Sequence, residues 1–266
     1  MNADERRSTL AGRGVVVTRP AHQARELARL IEDAGGKAIL FPAIEIRDVE
    51  DIGTFMRLVD RLEDFDLAVF ISPNAIERAM RLIRSRRELP PALKIAAIGG
   101  GSVRALERQG VTGVIAPQGR YDSEALLERG EIAGVKRVVI FRGEGGREHL
   151  GDALTARGAS VEYAECYRRA LPALDPAPLL RTWAGGGVHA VTATSSEGLR
   201  NFAGMIGAAA REQLQLTPVF VPHPRIAEAA RELGIRTVIV TGPGDEGVLD
   251  GLKAFFSAGR RLPDKA

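Results

Sequence analysis

Short aliphatic runs alternate with amphipathic stretches along almost the whole chain. The runs predict strands at residues 15–18, 37–41, 67–71, 95–98, 114–116, 137–141, 161–164, 188–192, 219–221 and 237–240. Between them apolar residues recur three and four apart. Leu27, Leu30 and Ile31 predict a helix over 24–34, and Ile76, Ala79, Met80 and Ile83 one over 75–83. Many of the strand segments read as continuous apolar runs rather than alternating ones, as in strands buried on both faces. Strands and helices in turn predict an α/β protein whose parallel sheets are covered by helices on both sides.

The pattern occurs twice. VVVTRP (15–20) aligns with VVIFRG (138–143), which places Arg19 on Arg142, 123 residues on. The same offset carries Leu27 to Leu150 and Gly35 to Gly158. FISPNAIE (70–77) aligns with TSSEGLRN (194–201) at an offset of 124, putting Ser72 on Ser196, Gly110 on Gly234 and Ile115 on Ile239. Two nearly equal offsets predict two similar α/β halves. Extended connectors follow matched strands at 42–48 and 165–170, the second leading into the proline-rich LPALDPAP (171–178). Such segments are where domain boundaries fall. Their equivalent positions suggest a chain that leaves one domain, builds the other and returns.

Composition narrows the function classes. A chain of 266 residues suffices for two domains, and 45% hydrophobic with 27% charged residues is globular. A single cysteine excludes a disulfide framework and a thiolate zinc cluster. His22, His149, His189 and His223 lack metal-site spacing, so no metal is expected. The net charge of +3 is small, basic and acidic residues are interspersed, and aromatics are only 5%, so no nucleic-acid partner is expected. The densest basic cluster, residues 84–87, reads as a solvated helix face. No apolar run approaches the ~20 residues that cross a bilayer. The polar N-terminus lacks the apolar stretch of a signal peptide, so a soluble, cytoplasmic protein is expected.

No nucleophile elbow, Walker lysine loop or dinucleotide fingerprint is legible. What recurs is a strand running into small polar residues that open a helix. Gly99-Gly100-Gly101-Ser102 does this, as does Ser72-Pro73-Asn74, with Ser72 as N-cap and Pro73 at the first helical position. Thr194-Ser195-Ser196-Glu197 and His223-Pro224-Arg225 repeat it, and Tyr121-Asp122-Ser123-Glu124 opens a further helix. Singly, each serine is an ordinary cap and the glycines a tight turn. Together they put helix N-termini where open α/β sheets bind ligands, beyond the carboxyl ends of the strands. Backbone donors in a cleft between the halves would suit carboxylates or phosphates. Arg19 and Arg142 end equivalent strands, and Arg147 begins the next helical stretch. Taken singly, each reads as a structural ion pair or a solvated arginine before it reads as a carboxylate fork. Tyr167 lies in the second connector beside Cys166, a residue type more often a small buried hydrophobe than a reactive thiol.

A longer ordered set carries a resemblance. VTRP (17–20), FISPNAI (70–76), AIGGGS (97–102) with Leu106 and Gly110, SEALL (123–127), RGEGGR (142–147), GASVEYAECYRR (158–169), TSSEGL (194–199) and PRIAEAARELG (224–234) follow one another at characteristic spacing. The set resembles the uroporphyrinogen-III synthase family from about residue 15 to 255. The resemblance implies two flavodoxin-like parallel-sheet domains joined by a two-stranded β ladder. Residues 1–43 with 170–266 would form one domain, and 44–169 the other, including linker strands at both ends. It also implies a lyase of tetrapyrrole biosynthesis. Hydroxymethylbilane, a linear polycarboxylate tetrapyrrole, is closed to uroporphyrinogen III with inversion of ring D and loss of water.

On this resemblance no cofactor is required, the partner is the small-molecule substrate, and a monomer is expected. Tyr167 matches the family's cleft-facing tyrosine and would assist hydroxyl loss. Phenols are weak acids, so assistance rather than dependence is expected. Substrate contacts would fall on Ser72, Asn74, Ala75, Gly99, Ser102, Arg142, Gly143, Thr194, Ser195 and Ser196, with Arg19 and His223 on the same edge. Three positions depart from the family pattern. Ser102 stands where threonine is common, His223 where many members have serine, and Ile226 where threonine is frequent. The competing readings are a non-catalytic tetrapyrrole- or anion-responsive regulator on the same scaffold and a two-lobed sugar- or phosphate-binding protein. The first usually carries an added DNA-binding domain and the second, when secreted, a signal peptide; neither is legible here.

Overall fold

A computed structural model describes residues 9–118, 122–145 and 148–258. Ten strands occur among them: β1 (Gly14–Val17), β2 (Lys37–Leu40), β3 (Glu45–Arg47), β4 (Leu67–Phe70), β5 (Lys94–Ala97), β6 (Arg137–Gly143), β7 (Ser160–Ala170), β8 (Ala190–Thr192), β9 (Val219–Val221) and β10 (Val238–Val240). The chain divides into two compact units, Met1–Glu45 with Ala170–Ala266, and Ile46–Arg169. The strand expected at 114–116 reduces to one bridge, Ile115 beside Ala96. Tyr121 and Arg147 lie outside the described residues.

The first unit holds a sheet in the order β10-β9-β8-β1-β2, all parallel. Renumbered along the chain within that unit, this is 2-1-3-4-5, the flavodoxin-like order. Successive side chains of a strand point to opposite faces. Val16 therefore packs with Trp183 and Phe202 on one side, and Val15 and Val17 with Leu27 and Leu252 on the other. Both faces are buried, which is why β1 reads as GVVV without a polar residue.

The second unit orders its strands β3-β7-β6-β4-β5. β4, β5, β6 and β7 run parallel, and β3 lies beside β7. Phe70 and Phe141 stack at 4.6 Å on one face; Leu67, Val69, Val138 and Ile140 fill the other. With β6 taken as first strand, the series β7-β6-β4-β5 continued by Ile115 is again 2-1-3-4-5. The two units thus share one wiring entered at different points.

Cap chemistry corrects the alignment of the halves. Ser72 caps the helix Pro73–Arg84 by accepting the Ala75 N–H, and Ser195 caps Ser196–Ile206 by accepting the Gly198 N–H. Ser72 therefore corresponds to Ser195, not Ser196, and the offset is still 123 there. Ala68 pairs with Ile95, and Val191 with Val219, so the offset has become 124 by the next strand. The extra residue sits between a cap and a strand, where it disturbs no pairing. Among the described residues, no helix is long and apolar enough to cross a membrane.

Candidate functional site

Parallel pairing puts the ends of all the wound strands of a sheet on the same edge, so each unit collects its candidate residues there. In the second unit Ser72 follows β4, Gly99 follows β5, Gly143 ends β6, and Tyr167 lies near the end of β7. Ser72 is extended, and its Oγ accepts the Ala75 N–H at 3.1 Å. That amide is spent on the cap, and Ala75 itself is fully buried, so Ala75 presents no free N–H to a ligand. Asn74, in the same turn, is half-buried. Gly99 is the extended residue before the helix Gly100–Arg108, where a Cβ would come no nearer than 4.0 Å, to Ser102 Oγ. Ser102 is buried, and its N–H donates back to the Gly99 carbonyl at 2.9 Å.

Tyr167 is only 1% exposed. Its ring passes over Gly143 at a register shift between β6 and β7, where a Cβ on Gly143 would stand 2.6 Å from Tyr167 Cζ. Glycine is thus a requirement of close approach at this point. The hydroxyl end reaches half-buried Ser72, whose Oγ is 3.2 Å from Tyr167 Oη, and exposed Arg169, whose Nη2 is 3.5 Å away. Its neighbour Cys166 is buried, and burial pushes its thiol pKa up to about 12. That thiol packs against the Ala75 and Arg142 carbonyls and is chemically quiet.

Arg142 is buried at 6% exposure and held from two sides. Its guanidinium lies 3.8 Å from the Tyr163 ring centroid, and its Nε and Nη2 donate to Glu165 at 3.2 and 3.0 Å. Burial raises the Tyr163 pKa, and the Arg142 charge partly opposes that rise. The Arg142 charge is therefore met inside its own unit.

The first unit repeats the arrangement. Arg19 follows β1, Thr194, Ser195 and Ser196 follow β8, and His223 follows β9. Arg19 forms an ion pair with Asp245, in the first turn of the helix Gly244–Ser257. The two equivalent arginines are thus both paired within their units. Thr194 is half-buried; Ser196 Oγ donates to the Arg225 carbonyl at 3.4 Å, tying two helix N-termini together. His223 caps the helix Pro224–Glu232, its Nδ1 accepting the Arg225 N–H at 3.1 Å. An imidazole can therefore take the place of a capping serine. Ile226 is buried in the core, so its apolar side chain serves packing.

Sequence reasoning did not find Glu165, Asp245 or Arg169. Asp245 lies 226 residues from Arg19, and no spacing could pair them. Arg169, two residues on from Tyr167, meets the same phenol oxygen, whereas Glu165 lies before the register shift and faces Arg142; nearness to Tyr167 in the sequence was the one available signal.

Fold and site together define a class: a protein of two flavodoxin-like units, each gathering helix N-termini, hydroxyls and an arginine on the carboxyl edge of its sheet. Comparison with known proteins makes this specific. A family model described as Uroporphyrinogen-III synthase HemD matches residues 25–250. The chain is 34% identical to the uroporphyrinogen-III synthase of Escherichia coli over 239 residues, 88% of this chain and 97% of that one. It is 30% identical to a putative uroporphyrinogen-III synthase of Methanothermobacter thermautotrophicus, over 76% of this chain and 81% of that one. A crystal structure of a mutant uroporphyrinogen III synthase from Thermus thermophilus shares the fold, with a TM-score of 0.63 at 20% identity, covering 92% of this chain and 99% of that one. The chain belongs to the uroporphyrinogen-III synthase family.

Proposed function

We propose that the protein closes hydroxymethylbilane to uroporphyrinogen III with inversion of ring D. The observation that carries this reading is the family match along residues 25–250, which takes in the candidate residues of both units except Arg19. The reaction needs no protein nucleophile. The electron-rich pyrrole expels its own hydroxyl, leaving an azafulvenium cation. Attack on it by the substituted carbon of ring D forms a spiro intermediate that fragments and recloses, and the proton lost on reclosure balances the one that left with water. Such catalysis rests on positioning and on electrostatics.

In this reading Tyr167 gives its proton to the departing hydroxyl. Its hydroxyl, the end of an otherwise enclosed ring that meets a half-buried serine and an exposed arginine, supports that role. Helix N-termini at Gly99, Ser195 and His223 supply donors for substrate carboxylates, while Ser72 faces Tyr167. Arg19 and Arg142 act chiefly by holding the loops that follow β1 and β6, because each already has a carboxylate partner. The reaction would class the protein as a lyase acting on a small molecule, and we take it to work in the cytoplasm as a monomer. Supplying fresh hydroxymethylbilane and separating the product isomers tests the proposal. Unaided closure gives isomer I, so isomer III in excess is the expected result, and isomer I alone would favour a regulator on this scaffold.

A further inference from the structure

Ser72 occupies two hydrogen bonds that bear on the reaction in different ways. Its Oγ accepts the Ala75 N–H at the start of the helix Pro73–Arg84, and the same oxygen lies 3.2 Å from Tyr167 Oη. A serine hydroxyl has one proton and two lone pairs. One lone pair is taken by the cap, and the proton and the second lone pair are left to face Tyr167. Across the phenol, Arg169 Nη2 stands 3.5 Å from the same Tyr167 oxygen, and a guanidinium only donates. When the serine gives its proton across this contact, the phenol oxygen has a donor on each side and its own proton is directed elsewhere. The ring cannot swing away from Gly143 through the enclosing core, which leaves that geometry fixed.

We infer that Ser72 is a positioning residue for Tyr167, an inference that rests on the acid role assigned to Tyr167 above. Its hydroxyl donates to Tyr167 Oη, which frees the phenol proton for the leaving hydroxyl and stabilises the phenolate left behind. The proton count closes. The C–O bond breaks, water departs with the Tyr167 proton, and the proton released when the macrocycle recloses restores the phenol. The Ala75 N–H polarises the serine, since donation to Oγ makes its O–H a better donor along the chain of bonds.

Steady-state kinetics on Ser72→Ala, Ser72→Thr and Ser72→Asp, each made alone and with Tyr167→Phe, test this. Ser72→Ala should lower kcat about tenfold, the worth of one hydrogen bond near a developing charge, with KM within about twofold. Ser72→Thr keeps the hydroxyl and should restore most of kcat. Ser72→Asp keeps the cap, being a favoured N-cap residue, but as a carboxylate it cannot donate and should be as slow as Ser72→Ala. In the Tyr167→Phe background all three substitutions should change kcat by less than about twofold, because the group they act through is gone. Equal losses in both backgrounds, a fully active Ser72→Asp, or an effect confined to KM would overturn the inference while leaving the acid role of Tyr167 intact. An unchanged kcat in Tyr167→Phe alone would remove the acid role first and this inference with it. Should Ser72→Ala fail to fold, the contrast between the aspartate and threonine variants decides.

Discussion

Gly143 faces the ring of Tyr167 across the one register shift between β6 and β7, with room for a hydrogen and no more. The missing side chain lets a long aromatic residue near the end of one strand lie over its neighbour, its hydroxyl at the sheet's carboxyl edge. Gly143→Ala should force the ring or the strand to shift. Overpacking of this kind costs about 1–3 kcal/mol, so a lower melting temperature and reduced turnover are expected together. Tyr167→Phe should not rescue stability, because ring carbons rather than the oxygen make the closest contact.

Tyr167→Phe should itself fold normally, since its ring packing is kept and only the Ser72 and Arg169 contacts are lost. Turnover should fall clearly and stay measurable, by about tenfold to a hundredfold, the lower end of what a general acid contributes. An unaltered rate with hydroxymethylbilane would take Tyr167 out of the mechanism.

Arg142→Met removes a buried guanidinium that stacks on Tyr163 and donates to Glu165. A loss of about 2 kcal/mol is expected, as the pair is broken and Glu165 keeps partial access to water. The urea midpoint should move down more than KM moves up. A raised KM at unchanged stability would instead make Arg142 a direct grip on substrate.

Cys166, the only cysteine, should resist thiol reagents in the native state and react at once in denaturant. Its folded pKa of about 12 lies above the ordinary 9.0, so the native state holds the proton more tightly than the unfolded chain. The thiol therefore stabilises the fold fully below pH 9, and this contribution is lost as pH rises from there towards 12. The slope is at most about 1.4 kcal/mol per pH unit. Comparing the alkaline denaturation of the protein with that of Cys166→Ala isolates it.

His189 accepts the Gly14 N–H on Nδ1 at 3.0 Å, while its backbone N–H donates to the Gly14 carbonyl. Burial, and then the Arg13 charge, hold its pKa below the ordinary 6.5. The unfolded chain thus takes up a proton first, and the contribution of this group, complete above pH 6.5, is lost as pH falls through the folded value. Denaturant midpoints between pH 7 and 5 should decline more steeply for the protein than for His189→Gln.

Much of this architecture is written in short-range chemistry. Continuous apolar runs announce strands covered on both faces, and Ser72-Pro73 or His223-Pro224 announces a helix start, because each signal involves residues within one turn of one another. The repeat is legible for the same reason, down to equivalent arginines at Arg19 and Arg142. The alignment that puts Ser72 on Ser196 runs one residue late at the cap, since Ser195 and Ser196 are chemically alike and only the bond to the Gly198 N–H distinguishes them. What the arginines do is a matter of long-range neighbours. Asp245 reaches Arg19 because the last helix folds back onto the first strand, and Glu165 reaches Arg142 because β7 lies beside β6. Ser72 likewise meets Tyr167, 95 residues away, through strand order alone. Local periodicity is set by backbone geometry and side-chain hydrophobicity, whereas the partner of a charge or a hydroxyl depends on which strands end up adjacent.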